Sequence, residues 1–297
     1  MKSIEQLNAV QKIQDYINNH LNEEITLKTL SRVSGYSPSH TERLFKELTD
    51  QNLFDYIRLM RLTDAAKTMR HKKKIKIIDI SLNYLFDYHE GFTRAFSKTF
   101  GVSPKKYQKN PIPVQYFIPY SVLSRHVLKL KEEVKIMKSK TVFVQVVERP
   151  KRKAIIKRGI KAKSYFPYCE EVGCDVWGIL ASIPDALYEP AGFWLPKHLV
   201  KPNTSEYVQG VEINLDYHQQ IPDDFDVVEL DACQMMIFQG EPYDDVNFMQ
   251  EIGVIQDHIA VFDPKLYGYE WDDKHPSFQL EPQSHRGYIE AKPVKKI

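Results

Sequence analysis

The 297-residue sequence predicts two domains: an all-α N-terminal domain, then an α+β C-terminal domain. Apolar residues recur at helical spacing through the first hundred residues. After residue 140 they give way to β-branched and aromatic runs of strand length. Charge divides in the same place, since residues 1–139 hold 24 Lys and Arg against 14 Asp and Glu, a net of +10, whereas residues 140–297 hold 17 against 25, a net of −8. A basic half joined to an acidic half predicts that the two domains have different functions.

The N-terminal helices are predicted from capping residues and apolar spacing. Thr26 caps a short helix that Gly35 ends, and Pro38 opens the next helix in the first position, where a missing N–H costs nothing. Asn52 starts a long helix, which a basic run closes. The other predicted helices run over 4–21, 77–85, 88–100 and 104–108.

Prolines at 111, 113 and 119 predict a linker, and the resulting domains are 1–110, 111–139 and 140–297. The charged segment 120–138 is ambiguous and could be helical. Strands are predicted over 141–148, 154–157, 208–214, 225–230, 235–239 and 288–291, with helices near 164–183 and 245–262.

The basic half repeats at an offset of 50 to 51 residues. Residues 30–36 match 80–86, and the Arg-x-Phe of 43–45 matches that of 94–96. Each copy predicts a short helix, a tight turn and a second helix, which is the layout of a helix-turn-helix motif. The alternative is a pair of helical hairpins that serve only to pack the domain. Two copies with matched caps in a basic domain favour binding in the DNA major groove.

The acidic half repeats at an offset of 81 residues. Val146-Val147-Glu148 aligns with Val227-Val228-Glu229, and Gly159 aligns with Gly240. Two such units side by side predict an antiparallel sheet with helices on one face, related by a pseudo-twofold axis. The place where the two halves meet is a natural ligand cleft.

Residues 94–107, RAFSKTFGVSPKKY, are similar to the closing signature R-x-F-K-x-x-x-G-x-S-P-x-x-Y of the AraC/XylS family. The chain resembles that family from residue 1 to about residue 108, which implies double-stranded DNA as a partner and transcription regulation as the function. The family usually has glycine in the second turn, and Leu85 stands there. A left-handed turn would cost leucine roughly 1–2 kcal/mol, which leaves a reshaped second turn open.

The acidic half looks like a GyrI-like effector-binding domain. This resemblance rests on its internal repeat, on residues 176–180 (VWGIL) and on residues 287–294 (GYIEAKPV). The whole chain thereby resembles the Rob-type arrangement of an AraC-type reader followed by that module. The resemblance implies that Glu290 lies on the final strand inside the cleft, where it meets cationic or polar ligands.

The resemblance places DNA contacts on the second helix of each motif. Arg43 could pair with guanine, and Glu42 could accept a hydrogen bond from cytosine. The alternative for Arg43 is a phosphate or structural contact, because both repeats carry Arg-x-Phe. The lysines suit phosphate contacts, which position a protein without reading sequence. The predicted DNA-binding residues are Ser39, Glu42, Arg43, His89, Glu90, Thr93, Arg94, Lys72, Lys73 and Lys105.

The acidic half holds all three tryptophans and many tyrosines. Aromatic faces beside a carboxylate attract organic cations, at roughly 0.5–2 kcal/mol per contact. Most such rings belong to a protein core, yet as a group with Glu290 they predict a pocket. The predicted ligand-binding residues are Glu290, Trp177, Trp194, Tyr207, Tyr269, Trp271 and Tyr288.

Enzyme chemistry is not predicted, because the sequence has no nucleophile elbow, zinc-protease motif, phosphate loop or dinucleotide fingerprint. No cofactor or metal is expected, since Cys169 and Cys174 lack nearby histidines. These two cysteines and Cys233 are the three of the chain, and they are typical of reduced thiols in a cytoplasmic protein. Neither a signal peptide nor a membrane span is predicted.

The sequence therefore predicts a cytoplasmic transcription regulator that binds DNA and a small aromatic or cationic effector. Effector binding would alter either DNA binding or the recruitment of RNA polymerase, which is a further candidate partner. The alternative is a GyrI-like small-molecule scavenger or hydrolase fused to a DNA-binding domain.

Overall fold

The chain divides into two compact units, residues 1–131 and 132–297. Among the described residues the first is all α and the second is α+β, as the sequence predicts. Segment 120–138, apart from 121–122, and most of the predicted linker lie outside the described residues. The computed structural model describes residues 3–72, 74–86, 88–119, 121–122, 141–173 and 175–297.

The first unit begins with a helix whose apolar stripe is buried, and local capping sets where its helices start. Ser3 and Gln6 form a reciprocal capping box at the first helix, and Thr26 accepts a hydrogen bond from the Thr29 N–H at the second. Both caps satisfy backbone donors that have no partner within the helix. The helices are α1 (Ile4–Asn19), α2 (Leu27–Ser34), α3 (Pro38–Thr49), α4 (Leu53–His71), α5 (Ile77–Asn83), α6 (His89–Phe100) and α7 (Pro104–Lys109).

The predicted repeat is visible in the packing of the two motifs, α2–α3 and α5–α6. Helices α3 and α6 both have 12 residues, 51 positions apart. The phenylalanine of each Arg-x-Phe is buried against an equivalent tyrosine. Ring centroids lie 5.1 Å apart for Phe45 and Tyr56, and 5.7 Å apart for Phe96 and Tyr107. The two copies therefore fold by the same contacts.

The second turn keeps the geometry of the first. Gly35 has φ of 74°, and Leu85 takes the left-handed conformation too, with φ of 58°. The backbone N–H of Phe86 donates to the Ser81 carbonyl, closing the turn. Tyr84 anchors it, because its hydroxyl donates to an Asp64 carboxylate oxygen at 2.7 Å. Leucine therefore bears the strain while the turn is preserved.

Leu85→Gly is expected to raise the free energy of unfolding by about 1 kcal/mol, because glycine accepts a positive φ without a Cβ clash. Leu85 is exposed, so its removal forfeits little apolar burial. Urea unfolding of the full chain measures the change. The matched control is Gly35→Ala in the first motif, which should lower stability; a less stable Leu85→Gly variant would show that the leucine side chain matters more than its strain.

Residues that follow α7 pack back onto the first unit. The hydroxyls of Tyr116 and Tyr107 lie 2.9 Å apart, and the ring of Phe117 meets that of Tyr56 at 5.2 Å. The Phe117 N–H also donates to the Thr63 hydroxyl at 3.0 Å. This part of the predicted linker therefore contacts the tyrosines of both motifs, while the proposed domain boundaries stay predictions.

The second unit is built on one sheet, and every described strand pairing in it is antiparallel. The strand order is β1-β6-β9-β8-β3-β4-β2-β5, with β7 paired to β9. The strands are β1 (Val142–Arg149), β2 (Arg152–Arg158), β3 (Ala191–Trp194), β4 (Tyr207–Ile213), β5 (Asp226–Leu230), β6 (Cys233–Gly240), β7 (Tyr269–Trp271), β8 (Ser277–Leu280) and β9 (Ile289–Lys296).

The strand order contains the predicted pseudo-twofold. Read from either end it is the same once β1 is exchanged with β5, β2 with β6, β3 with β8 and β4 with β9. The register follows the 81-residue offset: Val147 faces Met235, and Val228 faces Ala154. The axis therefore passes between β3 and β8.

Helices cover one face of this sheet, on both sides of the axis. In the first repeat they pack on Ile155 and Val211, and in the second on Met236 and Phe238. The region near 164–183, which the sequence predicts to be helical, holds two helices separated at Gly173, which has φ of 96°. The helices are α8 (Tyr165–Val172), α9 (Val176–Ser182) and α10 (Phe248–Val261).

Candidate DNA-binding surface and effector cleft

One face of α3 presents side chains for a partner. Ser39, Glu42 and Arg43 are exposed, whereas Thr41 and Phe45 on the opposite face are buried. This alternation follows from the 3.6-residue helical period. Within the part of the chain that the structure describes, no hydrogen bond or ion pair engages Glu42 or Arg43. Both charged groups are therefore available to DNA.

The turn before α3 is fixed by polar contacts. The Ser34 hydroxyl lies 2.9 Å from the Thr41 hydroxyl and accepts a hydrogen bond from the Tyr36 N–H at 3.2 Å. Tyr36 then stacks on His40 with ring centroids 4.6 Å apart. These contacts hold α3 at a set angle to α2, which a reader of the major groove requires.

The second motif presents a similar face with apolar support. His89, Glu90 and Arg94 on α6 are exposed. Thr93 is half-buried, and its hydroxyl oxygen is buried without a hydrogen-bond partner among the described residues. Where the first motif uses Tyr36 and Thr41, the second packs Phe86 against Phe92, at 5.1 Å between ring centroids.

The predicted phosphate-binding lysines fall on two neighbouring elements. Lys72 and Lys105 are exposed, and Lys73 lies outside the described residues. The Gln108 side chain donates to the Ile75 carbonyl at 2.7 Å, which ties α7 to the loop that follows Lys72. The structure thus joins the elements that carry Lys72 and Lys105.

Buried polar side chains lie at the pseudo-twofold axis of the second unit, where the sequence predicts a cleft. Tyr207 at the start of β4 and Tyr288 directly before β9 are equivalent, 81 residues apart, and so are Gln209 and Glu290. All four side chains are buried. Glu290, Gln279, Gly192 and Gln209 follow one another across four adjacent strands.

Hydrogen bonds cross the axis between the two repeats. The Gln279 amide donates to the Tyr207 hydroxyl at 3.1 Å. The Tyr288 hydroxyl lies 3.2 Å from the Gln279 carbonyl oxygen and 3.0 Å from the Glu290 carboxylate. A phenol has one proton, so it can donate to only one of those acceptors at a time. The network is therefore sensitive to the protonation of Glu290.

Burial raises the pKa of Glu290 above its ordinary value, and hydrogen bonds from Tyr288 and Gln256 oppose this rise. Burial also raises the pKa of Tyr288, with the nearby Glu290 carboxylate adding to the effect. A buried carboxylate that the surrounding fold only partly compensates favours a cationic partner.

Aromatic rings pack beside Tyr207 in the first repeat. Trp194 and Tyr168 meet Tyr207 at 5.2 and 5.6 Å between centroids. Trp177 contacts Tyr165, which packs against the same cluster. The structure thus brings Trp194, Tyr207, Tyr288 and Glu290 together and places Trp177 behind them.

Two predicted ligand residues pack in the core cluster that also holds Tyr288. Tyr269 and Trp271 lie around Phe238, and the Trp271 ring lies 6.4 Å from that of Phe262. The Lys292 ammonium sits 5.5 Å from the Trp271 ring centroid. Their ligand-binding role stays a prediction.

Sequence reasoning missed Gln209 and Gln279. The Gln209 carbonyl oxygen is buried and has no hydrogen-bond partner in the described part of the chain, which marks a place for a donor group of a ligand. The 81-residue offset could have identified Gln209, because it places this residue at the position equivalent to Glu290. Gln279 has no such signal, since its role depends on which strands are neighbours.

None of the helices in the described ranges has the length of apolar sequence that a bilayer crossing needs.

Comparisons with known proteins agree on the first unit. A model of the family described as "Helix-turn-helix domain" matches residues 30–110. The "Probable transcription factor PqrA" of Proteus vulgaris is 38% identical over 105 residues, which cover 35% of this chain and 85% of that protein. The "Right origin-binding protein" of Escherichia coli (strain K12) is 33% identical over 108 residues, 36% of this chain.

The match to the Right origin-binding protein spans only 37% of that relative's length. Among solved structures, a DNA-binding transcriptional dual regulator from Escherichia coli K-12 has 19% identity and a TM-score of 0.32. That alignment covers 37% of this chain and 96% of the other.

Proposed function

The chain belongs to the AraC family of helix-turn-helix transcription regulators, and from this premise we propose that it is a sequence-specific regulator controlled by a small effector. The first unit reads double-stranded DNA through α3 and α6. The second unit binds an aromatic or cationic molecule in the cleft at its pseudo-twofold axis. RNA polymerase is the further partner whose recruitment the effector would change.

The exposed pair Arg43 and Arg94 supports the DNA-binding part. Both side chains stand two residues before a buried phenylalanine of the same helix, so the backbone beneath each arginine is fixed by a packed core. Rigid presentation is what a base-reading arginine needs, because its paired donors must meet guanine acceptors in one plane. Exposed lysines at Lys72 and Lys105 add phosphate contacts.

The single observation that carries the effector part is buried Glu290 beside Tyr288 and beside the Gln209 carbonyl oxygen, which has no hydrogen-bond partner among the described residues. Burying a carboxylate is costly unless something compensates its charge. A cationic aromatic ligand would supply that charge to Glu290, a donor to Gln209 and a ring for Trp194 and Tyr207.

The experiment is a thermal-shift screen of the full chain against aromatic cations that carry N–H donors, such as aromatic amidines. We expect a hit to alter DNA affinity about 5- to 150-fold, the usual range of coupling between two sites. Glu290→Gln should abolish the shift, whereas Glu270→Gln, which changes an exposed carboxylate of the same unit, should leave it intact. A hit that shifts both variants equally and leaves DNA affinity unchanged would contradict the proposal.

Glu290→Gln is also expected to raise the Tm of the effector-free protein above that of the wild-type chain, by an amount that grows as pH rises. The fold raises the pKa of Glu290, so the folded state holds this proton more tightly than the unfolded state does. The stability from that proton is present at low pH and is lost as pH rises through the raised pKa. Thermal unfolding at about pH 5 and about pH 8 tests this; the variant's advantage in Tm should grow at the higher pH, and a constant difference would argue against a buried, titrating Glu290.

A further inference from the structure

The second unit has a hollow at the end of its first repeat, next to the aromatic cluster of Tyr168, Tyr207 and Trp194. It lies between the loop after β2 and the long connection from β3 to β4, and its volume is about 540 Å³. Buried Ala162 and Ser205 contribute to its wall. The polar side chains around it are Lys161, Lys163, Lys197, Lys201, Thr204, Ser205 and Glu206.

The lysines form a positively charged patch in an otherwise acidic unit. Segments 157–163 and 197–201 contain six Lys and Arg and no Asp or Glu, although the half of the chain that contains them has a net charge of −8. Lys201 pairs with Asp226 at 2.8 Å. Across the described residues, Lys163 and Lys197 form no ion pair with a carboxylate. No described carboxylate therefore neutralises these two charges.

The second repeat provides an internal comparison. The loop after β2 begins at Gly159 and the equivalent loop after β6 begins at Gly240. Three residues after each glycine stand Ala162 and Tyr243, and Tyr243 packs its ring against the core around α10. The second loop, 241–245, carries three acidic residues and no lysine. The positive charge is thus particular to the first repeat and does not follow from the fold.

The backbone around the hollow is held in place. The Glu171 carboxylate accepts hydrogen bonds from the N–H groups of residues 160, 161 and 162 at 2.8 to 3.2 Å. The Ser205 N–H donates to the Gly159 carbonyl at 3.1 Å, which joins the two loops. A Cβ at Gly159 would lie 2.8 Å from the Ser205 hydroxyl oxygen, so the loops approach closely there. The lysines therefore extend from a fixed frame.

We propose that this hollow binds a compact polyanion, a small molecule with two or more phosphate or carboxylate groups. Lys163 and Lys197, which form no ion pair among the described residues, supply the charge for such a ligand, whereas Lys201 is paired with Asp226 and Lys161 lies near the Glu171 carboxylate. The volume lies within the ~300–1,000 Å³ of small-molecule sites. Binding of duplex DNA to the same lysines is the alternative that the test below separates. The site is separate from Glu290 and does not depend on the proposed effector.

Calorimetric titration of the full chain with pyrophosphate at about 50 mM ionic strength tests the proposal. Lys163→Gln combined with Lys197→Gln should weaken binding about tenfold or more, since these charges have no competing carboxylate. Lys265→Gln combined with Lys274→Gln removes two exposed lysines of the same unit outside the hollow and should leave binding unchanged.

Three results would overturn the proposal. In the first, pyrophosphate fails to bind the wild-type chain. In the second, replacing Lys265 and Lys274 weakens pyrophosphate binding as much as replacing Lys163 and Lys197, which would indicate a diffuse surface charge. In the third, the Lys163 and Lys197 changes weaken duplex DNA binding and leave pyrophosphate binding unaffected, which would make this surface a DNA contact. None of these outcomes depends on whether Glu290 binds an effector.

Discussion

Joint replacement of Arg43 and Arg94 by alanine is expected to lower the affinity of the full chain for its DNA site by roughly 30- to 10⁴-fold. Each bidentate arginine–guanine contact is worth about 1–3 kcal/mol of discrimination, and every 1.4 kcal/mol is about tenfold. Fluorescence anisotropy with a duplex selected from a random library measures the loss. Each single change should relax sequence preference at one position within its own half of the site.

Arg58→Ala is the matched control, because Arg58 is an exposed arginine of α4 paired with Asp55 at 2.9 Å. It should keep full affinity and sequence preference. If Arg43 and Arg94 contact only phosphates, their replacement will weaken all duplexes alike and reduce the salt slope by about one per contact. That result, or an unchanged affinity, would contradict base reading by these two side chains.

Phe96→Ala is expected to lower the free energy of unfolding of the first unit by about 3–5 kcal/mol. Phe96 is fully buried, and its ring meets those of Phe92, Phe100 and Tyr107 at 4.7 to 5.7 Å between centroids. Removing it leaves a cavity at the centre of the second motif. Since α6 is held in place through this ring, DNA affinity should fall with stability.

Phe54→Ala provides the comparison, because Phe54 is 49% exposed on α4. Its loss should change stability by about 0.5 kcal/mol or less. Chemical denaturation of both variants, followed by a signal from the first unit, distinguishes the two sites. Equal losses would mean that the buried aromatic cluster does not carry the stability assigned to it.

The N-terminal unit was predictable because its rules are local. Thr26 and Gly35 bound α2 in the sequence and in the structure, since a cap depends on its own backbone and the next few residues. Leu85 shows where a local rule fails. Its left-handed strain is tolerated because Tyr84 and Phe86 fix the turn from both sides, and those contacts reach across the fold to Asp64 and within the turn to Ser81.

The C-terminal site was only partly predictable. The 81-residue offset was enough to predict an antiparallel sheet with two equivalent halves, and Glu290 lies with Tyr207 and Tyr288 where those halves meet. Composition could not separate the rings of the cleft from Trp271 in the core, because both sets occur at strand spacing. Gln279 gained its role from β8, a four-residue strand that no periodicity in the sequence identifies.

If α3 and α6 both read DNA, as proposed, we expect one chain to enter two successive major grooves on one face of the duplex. The most direct test places the two halves of the selected site at varied separations and measures the affinity of the full chain for each duplex. Affinity should peak when the halves lie about 10 base pairs apart and fall sharply after an insertion of about 5 base pairs, which turns the second half to the opposite face of the helix. An affinity that is indifferent to this spacing would contradict the claim.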